Sequence, residues 1–125
     1  MTDASGAWRL RPNAPQAGQP LCAAQALPEG EAREFVFGAG VSVFSMFAVR
    51  RRGRVHAYLN LCPHFSLPLN QRRDGFLTPD GDRLMCTQHL AVFRIEDGVC
   101  VEGACVGGRL EPIAVAVEDG VVRIV

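Results

Sequence analysis

The stretch N-L-C-P-H-F-S-L-P-L-N, residues 60–70, places a thiol and an imidazole two positions apart. Cys62 and His64 flank Pro63, whose ring restricts the backbone, in otherwise apolar surroundings. Such a pair is typical of metal ligands, since thiolates and neutral imidazoles both bind transition metals. A buried cysteine beside an exposed histidine is the alternative, and this stretch alone leaves both interpretations open.

A second cysteine–histidine pair, C-T-Q-H, occupies residues 86–89. The gap between the two pairs contains Pro79-Asp80-Gly81, a turn-forming triplet between two short apolar runs. Because a hairpin returns its ends to one place, it can bring the pairs together across a shared site. The spacing therefore predicts four converging ligands: Cys62, His64, Cys86 and His89.

Three explanations account for this ligand set. Coincidence is one, although two such pairs are uncommon in a chain with five cysteines and three histidines. A tetrahedral zinc site accepts two thiolates and two imidazoles, but zinc sites of this type usually pair cysteine with cysteine and histidine with histidine. Here each segment supplies one of each, which suits a binuclear centre whose two irons need different ligands.

The surrounding pattern is β-type. From Leu21 onward, β-branched and aromatic runs are separated by turn signals, and Asp-Gly dipeptides at 97–98 and 119–120 predict hairpins. Alternation along 54–59 predicts one apolar face and one polar face, with His56 solvated. The apolar face holds Val55, Ala57 and Leu59, and the polar face holds Arg54, His56 and Tyr58. No segment shows a helical period, so we expect an all-β, mostly antiparallel domain.

With these residues in place, the sequence resembles a known family. C-P-H followed by C-T-Q-H is similar to the Rieske motif, C-x-H then C-x-x-H, and the likeness extends over about residues 20–125. The resemblance implies a Rieske-like fold of antiparallel sheets with a small cluster-binding subdomain at about 60–107. We expect a single domain over 19–125, preceded by an N-terminal arm over 1–18 that Trp8 either pins to the body or leaves exposed.

The resemblance also implies one [2Fe-2S] cluster per chain, with Cys62 and Cys86 on one iron and His64 and His89 on the other. Two ferric ions, two sulfides and two thiolates sum to zero charge, whereas four thiolates give minus two. The less negative centre accepts an electron more easily than a plant-type ferredoxin cluster does.

Within the family we expect a low-potential member. High-potential relatives carry a disulfide between the two loops, and here Ser66 or a neighbour and Gln88 stand at the matching positions. Those relatives also place hydroxyl donors where this chain has Ala91 and Phe93. Hydroxyl donors to cluster sulfurs favour the reduced state, so their loss lowers the potential.

Three positions depart from the family pattern. Relatives commonly have glycine where this chain has Ser66 and Leu90, and proline at Ala104 in the third loop. These changes bear on loop conformation and cluster exposure, and they leave the expected ligands unaltered. The remaining cysteines, Cys22, Cys100 and Cys105, are expected to be small buried hydrophobes. For Cys105, in the third loop, the alternative is that it covers the cluster.

Composition restricts the function further. All 13 basic residues are arginine, which excludes a Walker-type phosphate loop and any catalytic lysine, and the net charge of zero argues against nucleic acid as a partner. No apolar run approaches the roughly 18 residues of a membrane span. No export signal is apparent, and the odd cysteine number suits a reducing compartment, so we expect a cytoplasmic protein.

The resulting functional prediction is an electron carrier and not a complete enzyme, since 125 residues leave no room for a flavin or mononuclear iron domain. By resemblance, it is the ferredoxin component that passes electrons from a reductase to a terminal oxygenase or similar acceptor. An accessory Rieske subunit of another reductase, or a redox sensor, is the alternative. A structural zinc module is the third hypothesis.

Overall fold

The computed structural model describes residues 4–63, 67–70, 74–86, 90–103 and 105–125. Strands form wherever apolar and β-branched residues alternate between turns, and the described residues contain 3₁₀ helices but no α-helix. The strands are β1 Pro20–Ala23, β2 Ala32–Phe37, β3 Phe44–Arg51, β4 Arg54–Leu59, β5 Arg83–Met85, β6 Val92–Arg94, β7 Cys100–Glu102, β8 Val115–Glu118 and β9 Val121–Ile124. The 3₁₀ helices are Ala4–Leu10, Ala24–Ala26 and Gly40–Ser42. The predicted all-β class is confirmed.

In the described part of the chain, no helix is both long enough and apolar enough to cross a membrane.

The strands pair into three antiparallel sheets, in the orders β1-β9-β8, β2-β3-β4 and β5-β6-β7. Tight turns connect neighbouring strands as the sequence predicts. Between β8 and β9, Asp119 and Gly120 have φ angles of 52° and 75°, and Glu118 pairs with Val121 across the turn. Two successive left-handed residues match the twist of the flanking strands, which is why Asp-Gly favours this hairpin.

The sheet β2-β3-β4 lies between two hydrophobic cores, because alternate residues of β3 point to opposite faces. Phe47 and Val49 enter one core, and Met46 and Ala48 enter the other. The first, here called the site core, contains Phe47, Val49, Tyr58, Cys62, Leu69, Phe76, Leu84, Cys86, Ala91, Phe93, Ile95, Cys100, Cys105 and Leu110. The second, the terminal core, contains Trp8, Leu27, Phe35, Phe44, Met46, Ala48, Ala57, Leu59, Ile113 and Ile124.

The predicted polar face of β4 is only partly solvated: Arg54 is exposed, whereas His56 and Tyr58 are not. Tyr58 is buried in the site core, and its hydroxyl donates a hydrogen bond to the Ile95 carbonyl oxygen at 2.5 Å. His56 is half-buried, and this burial lowers the pKa of its imidazole. Alternation identified the two faces of β4 correctly. Because a hydrophobic core covers each face of this sheet, a polar residue type did not indicate an exposed side chain.

The N-terminal residues that the structure describes pack against the domain. Trp8 is 1% exposed, with its ring centroid 5.9 Å from that of Phe44, and its backbone N–H donates to the Glu111 carboxylate at 2.6 Å. Of the two alternatives for Trp8, the structure shows the pinned one. The boundary between residues 18 and 19 stays a prediction.

Candidate metal centre

Both predicted cysteine ligands are fully buried and lie in the same core. Cys62 follows β4, and Cys86 follows β5; each side chain has 0% exposure and belongs to the site core. His64 and His89, the two predicted imidazole ligands, lie outside the described residues. The structure therefore places both predicted thiol ligands in one hydrophobic core.

The hairpin that was predicted to join the two pairs is present. Leu77 and Leu84 form an antiparallel bridge, and the Thr78 N–H donates to the Arg83 carbonyl at 2.9 Å. Gly81, at φ 76°, completes the turn. The local turn chemistry thus carries Cys86 back to the core that already holds Cys62, as the spacing argument requires.

Each cysteine opens a loop that is closed in the same way. The Cys62 N–H donates to the Leu67 carbonyl at 2.7 Å, and the Cys86 N–H donates to the Ala91 carbonyl at 2.8 Å. In both loops the bond joins residue i to residue i+5, and a predicted histidine ligand stands inside the span. This repeated closure gives the two cysteines equivalent backbone positions.

The second loop ends on a left-handed residue. Leu90 has a φ of 58°, and its N–H donates to the Cys86 carbonyl at 2.7 Å. Glycine tolerates this conformation without penalty, whereas a residue with a Cβ loses about 1 kcal/mol. The glycine that relatives commonly place here therefore has a conformational reason, and Leu90 keeps the bend despite its side chain.

A buried amide holds the first loop. Asn60 is 2% exposed; its Oδ1 accepts the Leu69 N–H at 2.9 Å, and its Nδ2 donates to Asn70 Oδ1 at 2.9 Å. Nδ2 also lies 3.1 Å from the Ser45 hydroxyl and 3.3 Å from the Glu34 carboxylate. Sequence reasoning missed this network, and only the two asparagines that bracket residues 60–70 hinted at it.

A third loop, residues 103–108, packs against the other two. A Cβ on Gly103 would come within 2.9 Å of the Ala91 Cα, and one on Gly108 would lie 3.6 Å from Pro63. Cys105, in this loop, is 4% exposed, and its Sγ lies 3.2 Å from the Sγ of Cys62. The expectation that Cys105 is buried is confirmed, and its contact with Cys62 agrees with the alternative that Cys105 lies against the site.

The other two cysteines stand apart from this contact. Cys100 is buried, and its thiol donates to the Glu102 carbonyl at 3.2 Å. Cys22 is only half-buried, against the expectation of full burial, and lies on β1 beside the terminal core. Burial raises the pKa of the Cys22 thiol, which keeps it protonated near neutral pH.

The donor set fits an iron–sulfur cluster. Two thiols in an apolar core would be costly as isolated thiolates, and a metal compensates that charge. Both cysteines open loops that are closed by the same backbone hydrogen bond, from residue i to residue i+5. The thiol half of the site therefore fits the cluster, and the two imidazole ligands stay a prediction.

Comparisons with known proteins agree with this geometry. The Rieske [2Fe-2S] domain family matches residues 17–116. The ferredoxin component of an alkene monooxygenase system from Xanthobacter autotrophicus is 36% identical over 104 residues, which are 83% of this chain and 77% of that protein.

Solved structures share the fold. The ferredoxin of carbazole 1,9a-dioxygenase from Nocardioides aromaticivorans has a TM-score of 0.67 and 18% identity, covering 87% of this chain and 97% of its own. A Sphingomonas yanoikuyae ferredoxin has a TM-score of 0.62 and 23% identity, covering 86% and 96%. The predicted Rieske-like arrangement of antiparallel sheets is confirmed.

Proposed function

This chain belongs to the Rieske [2Fe-2S] domain family, and we propose that it is the ferredoxin component of an oxygenase system. In this role it accepts single electrons from a reductase and delivers them to a terminal oxygenase. The observation that carries the proposal is the pair of buried cysteines that open two equally closed loops, in a chain 36% identical to an alkene monooxygenase ferredoxin component.

The cofactor follows from the family, and the predicted single [2Fe-2S] cluster is confirmed at that level. We propose that Cys62 and Cys86 hold one iron and that His64 and His89 hold the other. When bound, the cluster supplies a one-electron redox couple. The family and the relative indicate an electron carrier without a catalytic centre. Because the family is a [2Fe-2S] family, the structural zinc hypothesis is not retained.

The chain's own residues isolate and orient this site. Leu69, Phe76 and Leu84, each with no exposed surface, exclude water behind the two cysteines. Exclusion of water strengthens the electrostatic effect of every nearby dipole on the redox centre. The closed loops and the Asn60 network limit reorganisation of the protein around the cysteines when an electron arrives.

The outer ends of the three loops are apolar and exposed. Leu67, Leu90 and Val106, one from each loop, are 41%, 65% and 63% exposed. We propose that the terminal oxygenase approaches here, because an apolar tip can exclude water at a protein interface close to the redox centre. We also propose a cytoplasmic location, since an odd number of cysteines suits a reducing compartment.

Three histidine variants test the ligand assignment. We expect His64→Ala and His89→Ala to lose the visible spectrum of the cluster and its two irons and two acid-labile sulfides. His56→Ala is the matched control and should keep all three, because His56 lies on β4 outside the loops. An intact spectrum in either loop variant would overturn the ligand assignment.

The oxygenase role has its own assay. The wild-type chain replaces the ferredoxin component in a reconstituted alkene monooxygenase system from Xanthobacter autotrophicus, and alkene consumption is measured. We expect turnover above the ferredoxin-free background, and none with His64→Ala. Cluster-loaded protein that a reductase reduces but that supports no turnover would contradict the oxygenase role and leave the carrier role standing.

A further inference from the structure

We propose that Cys105 tunes the redox potential by donating an S–H hydrogen bond to the sulfur of Cys62. The inference rests on the proposed function, in which Cys62 is an iron ligand. The two Sγ atoms lie 3.2 Å apart, and both side chains are buried, at 4% and 0% exposure. The residues are 43 positions apart in sequence, so tertiary packing alone creates the contact.

The third loop holds the Cys105 side chain in this place. The Gly108 N–H donates to the Cys105 carbonyl at 2.8 Å, which closes the turn. Gly108 in turn packs against Pro63, the residue directly after Cys62. At the other end, Gly103 lies so close to Ala91 that any side chain would collide with its backbone. The loop is therefore wedged between the two cysteine loops.

Metal binding determines the direction of the hydrogen bond. Between two free thiols, either sulfur can be the donor. A cysteine that ligates iron does so as a thiolate and has no proton to give. In the loaded protein Cys62 can therefore only accept, and Cys105 must be the donor.

This hydrogen bond favours the reduced state. Reduction adds negative charge to the iron and its sulfur ligands, and a donor aimed at one of those sulfurs stabilises that charge. The two positions at which high-potential relatives carry hydroxyl donors are occupied here by Ala91 and Phe93, both fully buried and without a polar side chain. Cys105 thus supplies, from the third loop, a donor that the side chains at positions 91 and 93 do not provide.

Redox titration of the cluster-loaded protein tests the proposal. For Cys105→Ala we expect the equilibrium constant for one-electron reduction to fall about three- to tenfold, which is about 28–59 mV at 59 mV per decade. Cys105→Ser retains a donor and should titrate at or above the wild-type potential. Cys100→Ala is the control: its buried thiol bonds to the Glu102 carbonyl, so the potential should not move. If Cys105→Ala fails to load, Cys105→Val replaces it.

A spectroscopic readout separates hydrogen bonding from packing. Transfer to D₂O should shift the iron–thiolate Raman bands more in the wild type than in Cys105→Ala. An unchanged potential in Cys105→Ala, or equal drops in the Ala and Ser variants, would overturn the proposal. Iron and sulfide are counted in each sample. Wild-type protein without a two-iron cluster would instead overturn the proposed function, whereas a loaded variant with an unshifted potential rejects only the role of Cys105.

Discussion

Replacement of Asn60 by alanine should destabilise the protein by about 3 kcal/mol. The change removes the side-chain acceptor of the buried Leu69 N–H, a loss worth roughly 1–3 kcal/mol. It also removes the amide donors to Asn70, Ser45 and Glu34, for which about 1 kcal/mol in total is a conservative figure. For a chain of 125 residues, such a loss lowers the melting temperature by roughly 12 °C.

The assay is thermal and urea unfolding followed by circular dichroism, with cluster absorbance recorded in parallel. The Asn60 side chain bonds to Leu69 and Asn70 and so connects the two ends of the 60–70 stretch. Cluster absorbance should therefore be lost faster in Asn60→Ala than in the wild type. Gln19→Ala is the control, since Gln19 is an exposed amide, and we expect a change within about 0.5 kcal/mol. A loss below about 1 kcal/mol in Asn60→Ala would refute the view that this amide organises the first loop.

Three further predictions concern single side chains. Leu90→Gly should raise the unfolding free energy by about 1 kcal/mol, because Leu90 is left-handed and mostly exposed; a lower melting temperature would contradict this. Tyr58→Phe should lower the free energy of unfolding in urea by roughly 1–3 kcal/mol, because the Ile95 carbonyl loses its buried hydroxyl donor. An unchanged free energy would show that this hydrogen bond makes no net contribution to stability. Burial lowers the pKa of the His56 imidazole, and this effect is larger than the opposing effect of the Glu96 carboxylate. As the pH falls, His56 therefore becomes protonated in the unfolded chain at a higher pH than in the folded protein. Stability should therefore decline below about pH 6.5 until the folded-state pKa is passed, and His56→Gln should remove that part of the decline in urea midpoints measured from pH 7.5 to 5.

Local chemistry made much of the fold predictable. The Asp-Gly turn before β9 needs two left-handed residues, and those two residue types adopt that conformation readily. The Pro79-Asp80-Gly81 hairpin returns Cys86 to the core that holds Cys62 for the same local reason. The two cysteine–histidine pairs could be found in the sequence because each lies within four residues, and their resemblance to the Rieske motif indicated the family. The histidine half of the metal centre stays a prediction, since His64 and His89 lie outside the described residues.

Sequence patterns could not predict contacts between segments that are distant along the chain. Tyr58 was expected on the polar face of β4, yet it is buried, because alternation along a strand separates its faces without revealing whether a second layer covers each one. The approach of Cys105 to Cys62 likewise depends on three loops wedging together, and neither cysteine has a local signal for the other.

The strand pattern, the turns and the cysteine–histidine spacings could be predicted from the sequence, because each depends on residues that are neighbours along the chain. The identity of the polar groups that support the site depends on tertiary packing. Asn60 meets Glu34 and Ser45, and Cys105 meets Cys62, because separate segments pack against each other and must pair their buried polar atoms. Residues 60–70 contain two of the four predicted ligands, and packing of the other segments surrounds Cys62.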